Sequence, residues 1–132
     1  MDIGETLYVA SRDAWRRWLA EHHAQKPEIW LIFYKKASGK LSLSYDEAVE
    51  EAICYGWIDS QIKSMDQERF ARRFTPRRER SGWSDPNRKR ARKMLRGGRM
   101  TDAGRATLPD DILSASPSPA LFTGRRSVAR RL

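Results

Sequence analysis

The run from Glu28 to Lys36, EIWLIFYKK, is apolar on both of its alternating faces. A strand with one wet side alternates apolar and polar residues, so this run predicts a central strand covered on both sides. Its aromatic residues read as core before they read as a ligand cage. Pro27, just ahead of it, breaks the preceding element. A chain built around such a strand needs partner strands beside it and helices over it, and the flanking sequence offers both.

Upstream, Ser11 precedes a helical pattern from about Arg12 to His23. Trp15, Trp18, Leu19 and His22 share one face, and Asp13 sits in the first turn, where the helix dipole favours a carboxylate. Downstream of a turn at Ser38-Gly39, Ser44 and Glu47 fit the S-x-x-E capping box of a second helix. Its inner face carries Ala48, Val49, Ala52 and Ile53, and Glu47, Glu50 and Glu51 are expected to face away. Gly56 suits its C-terminal cap. Ile58, Ser60 and Ile62 then alternate with Asp59, Gln61 and Lys63, while Phe70, Arg72 and Phe74 alternate with Arg69, Ala71 and Arg73. The pattern predicts an antiparallel hairpin with one packed face and one wet, basic face.

Ser84 caps a third helix, with Asp85 and Pro86 in its first turn and Gly97-Gly98 at its end. Asn87, Ala91, Met94 and Leu95 form its inner stripe, and Arg88, Lys89, Arg92, Lys93 and Arg96 a basic outer face. That face is open to two readings, a solvated surface or a nucleic-acid-binding one. Thr101 caps a short fourth helix through about Thr107. From Leu108 the sequence is rich in Pro, Ser and Arg without a sustained period, which predicts a poorly ordered basic tail over 108–132. The expectation is therefore a single α+β domain over 1–107, a small antiparallel sheet packed with three to four helices.

Composition narrows the function classes. The 132 residues are 39% hydrophobic and include five tryptophans, enough apolar surface for one core. No apolar run approaches the ~18 residues of a membrane span, and the N-terminus lacks a signal-peptide layout, which points to a cytoplasmic protein without membrane insertion. Cys54, the single cysteine, can form no internal disulfide, and with His22 and His23 it makes no metal-ligand spacing; it reads as a small buried thiol. The net charge of +9 is concentrated: residues 1–62 carry 7 Lys and Arg against 10 Asp and Glu, whereas residues 63–105 carry 15 against 5. Such a segment points to an anionic small molecule, protein partner or nucleic acid.

No sequence motif specifies catalysis or a cofactor. Asp59-Ser60 with His22 or His23 lacks a nucleophile elbow and an orienting third group. There is no phosphate loop, dinucleotide fingerprint or H-E-x-x-H, and Asp110-Asp111 reads as the start of a turn or helix. A binding site is the stronger expectation. Asp59, at the mouth of the hairpin, and Arg77, leaving its far strand, are placed to pair, either tying a loop to the sheet or offering a guanidinium fork to a carboxylate or phosphate. Trp83, between Ser81 and Ser84 at a helix start, suits a core plug or a stacking platform. Trp57, Asp59, Arg77, Ser81, Trp83 and Asn87 are thus the candidate ligand-binding set.

The segments YDEAVEEAICYGWIDS, RFTPRRERSGWSDPNRKRA and GRMTDAG, in that order and spacing, resemble the bacterial YdeI/OmpD-associated family, also called the bacteriocin-protection family. The similarity runs from about Leu7 to Gly104. Its most specific parts are Gly56 to Ser60, Thr75-Pro76-Arg77, Ser81-x-Trp83-Ser84 with Asn87, and Gly98 to Thr101 with Gly104. The resemblance implies a small α+β protein linked to protection from bacteriocins or antimicrobial peptides, and it brings no reaction or catalytic residue. Members commonly continue into an Ala-rich helix and a basic C-terminal helix. Here Pro109-Asp110-Asp111 and Pro119 to Phe122 echo that region before the sequence reaches Leu132.

Overall fold

The computed structural model describes residues 2–78 and 82–115. Its elements are β1 (Thr6–Leu7), α1 (Arg12–His22), β2 (Ile29–Tyr34), α2 (Tyr45–Cys54), β3 (Trp57–Ser64), β4 (Arg69–Pro76), α3 (Asp85–Arg96), α4 (Asp102–Arg105) and α5 (Asp110–Ala115), with a short 3-10 turn at Lys36–Ser38. The fold is α+β. Its four strands lie in the order β1-β2-β4-β3. β3 and β4 form the expected hairpin, and β4 runs antiparallel to β2. The sheet is mixed rather than purely antiparallel because Thr6 and Leu7 pair in parallel with Trp30 and Leu31. Two residues are too few to show a strand period.

β2 is interior and buried on both faces, as its sequence requires. Ile29, Leu31 and Phe33 stand opposite Phe74, Arg72 and Phe70. This face meets the helices in one apolar cluster that includes Trp15 and Leu19 of α1, Val49 and Ile53 of α2, and Ala91 and Met94 of α3. Trp15 meets Phe74 edge-on at 5.3 Å and donates its indole N–H to the Ala48 carbonyl, so the ring is buried without an orphaned donor. Trp30, Ile32 and Ala71 fill the opposite side, where Arg73 pairs with Glu28.

The caps fall where the sequence places them. Ser11, Ser44, Ser84 and Thr101 each accept a backbone N–H of the first turn, and Ser44 with Glu47 completes a capping box. Gly56 follows α2 with φ at +76°, the left-handed region an L side chain resists. Asp46 meets Arg90, Glu50 meets Lys93, and the Cys54 carbonyl receives Thr101, so α2 and α3 run side by side in the same sense.

Three further expectations change. A bulge between Asp59 and Ile62 advances β3 by three residues while β4 advances by two, from Phe74 to Arg72. Asp59 and Ile62 therefore share a face, the Ile58/Ser60/Ile62 stripe is broken, and Ile62 is 55% exposed. Glu50 and Glu51, expected outside, are buried. The segment from Leu108 does not become irregular at once: Leu108 and Ile112 are buried in the core and α5 begins at Asp110. The remainder of the anticipated tail, 116–132, lies outside the described residues.

Candidate functional site

The start of α2, the mouth of the β3–β4 hairpin and the start of α3 meet at one surface. Tyr45, the first residue of α2, presents its ring to two guanidiniums, Arg72 of β4 at 4.4 Å and Arg90 of α3 at 5.3 Å. Its hydroxyl donates to Asp59 Oδ2 at 3.2 Å, and that carboxylate oxygen lies 3.7 Å from Arg72 Nη1. Burial and the neighbouring Asp59 raise the Tyr45 pKa against the opposing pull of Arg90 and Arg72, so the phenol stays protonated and acts as a donor at neutral pH. Arg90 is held by Asp46 and by the Asn87 side-chain oxygen.

Beside this group, Arg77 lies 3.7 Å over the Trp83 ring and donates through Nη1 to the Gly82 carbonyl. Its backbone N–H bonds to the Gly56 carbonyl, which fastens the strand end to the turn after α2. Burial pushes the Arg77 pKa down and Asp59 opposes the shift, so the cation is partly stripped of water and still within the field of that carboxylate. Asp59 makes its ion pair with Arg72 rather than with Arg77: it stands opposite Phe74, and strand alternation puts Arg72 on the same face of β4 as Phe74, where Tyr45 also reaches the carboxylate.

Asp59, Arg77, Trp83 and Asn87 thus gather at one surface, and Ser81 lies outside the described residues. Trp57 does not reach that surface. It is sealed in the core, edge-on to Trp18, with its indole N–H toward the His23 carbonyl. Trp83 packs partly against the core, and its ring lies beneath Arg77. Tyr45, Arg72 and Arg90 join the site without a motif to mark them. For Arg72 a signal is present in the sequence, a lone charge between Phe70 and Phe74 on the packed side of an alternating strand.

The basic face of α3 is partly spent within the chain. Arg88 and Arg92 approach Asp111, and Lys93 bonds Glu50, while Lys89 and Arg96 are exposed. Cys54 is buried and its thiol is pushed up to about 11, chiefly by loss of solvent, so it is not a thiolate nucleophile at neutral pH. Among the described residues no group of three or more His, Cys, Asp or Glu is arranged to hold a metal ion, and no helix is long and apolar enough to cross a membrane.

These contacts belong to a small α+β domain bearing a surface of stacked guanidiniums and aromatic rings. The chain belongs to the family described as a domain of unknown function, DUF8412, which matches residues 7–107. No curated protein and no solved structure matches it. The matched span takes in the elements from α1 to α4, and with them every residue of the surface.

Proposed function

We propose that this chain is a non-enzymatic binding module for an anionic ligand, held at the surface of Tyr45, Asp59, Arg72, Arg77, Trp83 and Arg90, and that it serves bacterial stress protection. One observation carries the binding reading. Three guanidiniums lie against two aromatic rings, with Asp59 and Asp46 the carboxylates paired to them among the described residues, and the buried Nε of Arg72 has no hydrogen-bond partner among those residues. A planar fork held against a ring directs its N–H edges sideways toward oxygen acceptors, as Arg90 does toward Asp46 and Asn87, and the partial exclusion of water strengthens that attraction.

The biological role rests on the motif resemblance to the YdeI/OmpD-associated family. A cationic antimicrobial peptide is a poor direct ligand for a chain of net charge +9, since the long-range field repels it. Protection then works through an anionic ligand or partner.

Titration with inorganic pyrophosphate, followed by amide NMR, is expected to shift Tyr45, Arg72, Trp83 and Arg90, and Trp83→Ala should weaken the response. No shift at these residues overturns the binding reading. Duplex DNA at low salt separates it from the nucleic-acid alternative, which requires affinity to fall by ~0.9 log units per log unit of salt for each phosphate contacted. Expression in a sensitive bacterium should raise survival against antimicrobial peptides; unchanged survival removes the protective role.

A further inference from the structure

The second concentration of charge lies where α1, α2 and the segment after α3 meet. Glu51 is fully buried, yet it accepts from Arg12 Nε and Arg16 Nη1 at 2.8 Å and from Arg99 Nη2 at 3.3–3.4 Å. Its neighbour Glu50 accepts from Arg12 Nη2 and Lys93 Nζ, both at 2.8 Å. Four cations therefore surround two carboxylates. Arg16 is engaged through both terminal nitrogens, the second on the Arg99 carbonyl, and its guanidinium lies over the Tyr55 ring.

Lys93 and Arg99 are more open to solvent. Their side chains are 61% and 41% exposed, and both line a cavity of about 460 Å³ together with Arg12, Glu50 and Asp13. Arg99 Nε and Nη1 have no hydrogen-bond partner among the described residues, and the Lys93 ammonium retains two further N–H groups beyond its bond to Glu50. We propose that this cavity binds the phosphate group of a small phosphorylated molecule, gripped by Arg99 and Lys93 with Arg12 behind them. Donors arrive from three separate elements, and a tetrahedral phosphate presents three oxygens in three directions where a carboxylate presents two in one plane. Its charge of about −1.5 to −2 at neutral pH meets a network in which Arg12, Arg16, Lys93 and Arg99 outnumber the carboxylates of Glu50, Glu51 and Asp13. Asp13, which also lines the cavity, repels anions in proportion to their charge, so it weakens a monophosphate somewhat and a polyanion such as nucleic acid more.

This site is separate from the Arg77–Trp83 surface, and amide NMR resolves the two. Titration with inorganic phosphate to about 10 mM, at ionic strength held constant, should give saturable shifts at Arg12, Lys93 and Arg99. Acetate under the same conditions should give none, and Asp13→Asn should tighten phosphate binding several-fold. Lys93→Gln, at an exposed position that leaves the Arg12 and Arg99 contacts to Glu51 in place, should weaken binding about tenfold. Absence of saturation, equal response to acetate, or unchanged affinity in Lys93→Gln each overturns the proposal. Shifts confined to Tyr45, Arg72 and Trp83 also overturn it while leaving the other surface intact.

Discussion

Glu51 shows what one residue can conceal. On the helical pattern EAVEEAIC it falls beside apolar positions, and a carboxylate there is assigned to solvent because burying an unpaired charge is costly. In the fold it is compensated by Arg12, Arg16 and Arg99, which lie 35 to 48 positions away. Burial alone would raise the carboxyl pKa of Glu51. The hydrogen bonds and charges of Arg16, Arg12 and Arg99 overcome it, and Glu50 is lowered likewise by Lys93 and Arg12, both from an ordinary value of 4.5. Folded carboxyls with depressed pKa values bind fewer protons than the unfolded chain, so their stabilisation is complete above about pH 4.5 and is lost as pH falls below it. Urea unfolding should therefore show wild-type stability declining on the acid side of that value. Glu51→Gln should be less stable at pH 7 by about 3–5 kcal/mol, the cost of leaving buried partners uncompensated, and should decline less steeply in acid. An equally steep acid decline in the variant would remove Glu51 from this role.

At the scale of elements, the motifs that carry the family resemblance fasten α2 to the turn after α3 and to α4. Thr101 caps α4 and donates its hydroxyl to the Cys54 carbonyl, Arg99 reaches Glu51, and Gly104 lies so close to the end of α2 that a Cβ would sit 2.4 Å from the Cys54 carbonyl oxygen. Gly104→Ala should destabilise the fold by about 1–3 kcal/mol through that backbone clash, measured as a lower urea midpoint at unchanged slope. Capping is local and legible in the sequence: Ser44→Ala should cost about 1 kcal/mol in the same measurement, because it removes the acceptor for the Glu47 N–H. The β3 bulge is not legible. Residues 57–64 alternate acceptably in either register, and only the pairing of Asp59 and Ile62 with Phe74 and Arg72 reveals the extra residue.

For the molecule as a whole, the decisive contact is the closure of the core by α5. Ile112 is 1% exposed within a segment whose composition suggests disorder, because the Pro and Ser of that segment obscure two well-placed apolar residues, Leu108 and Ile112. Ile112→Ala should cost about 2–5 kcal/mol in global unfolding, as for other fully buried aliphatic truncations. A change below about 0.5 kcal/mol, typical of surface positions, would show that α5 does not close the core. The caps, the order of helices and hairpin, and the double burial of β2 can all be read from the amino-acid order, because these depend on periodicity and on neighbours within a few residues. The burial of Glu50 and Glu51, the turn of Asp59 toward Tyr45 and Arg72, and the division of roles between a core Trp57 and a Trp83 beneath Arg77 emerge only when the elements pack. For Glu50, Glu51, Asp59 and Trp57 the partner that settles the matter lies on a different element, and the free energy of a buried charge or ring depends on that partner rather than on the local pattern.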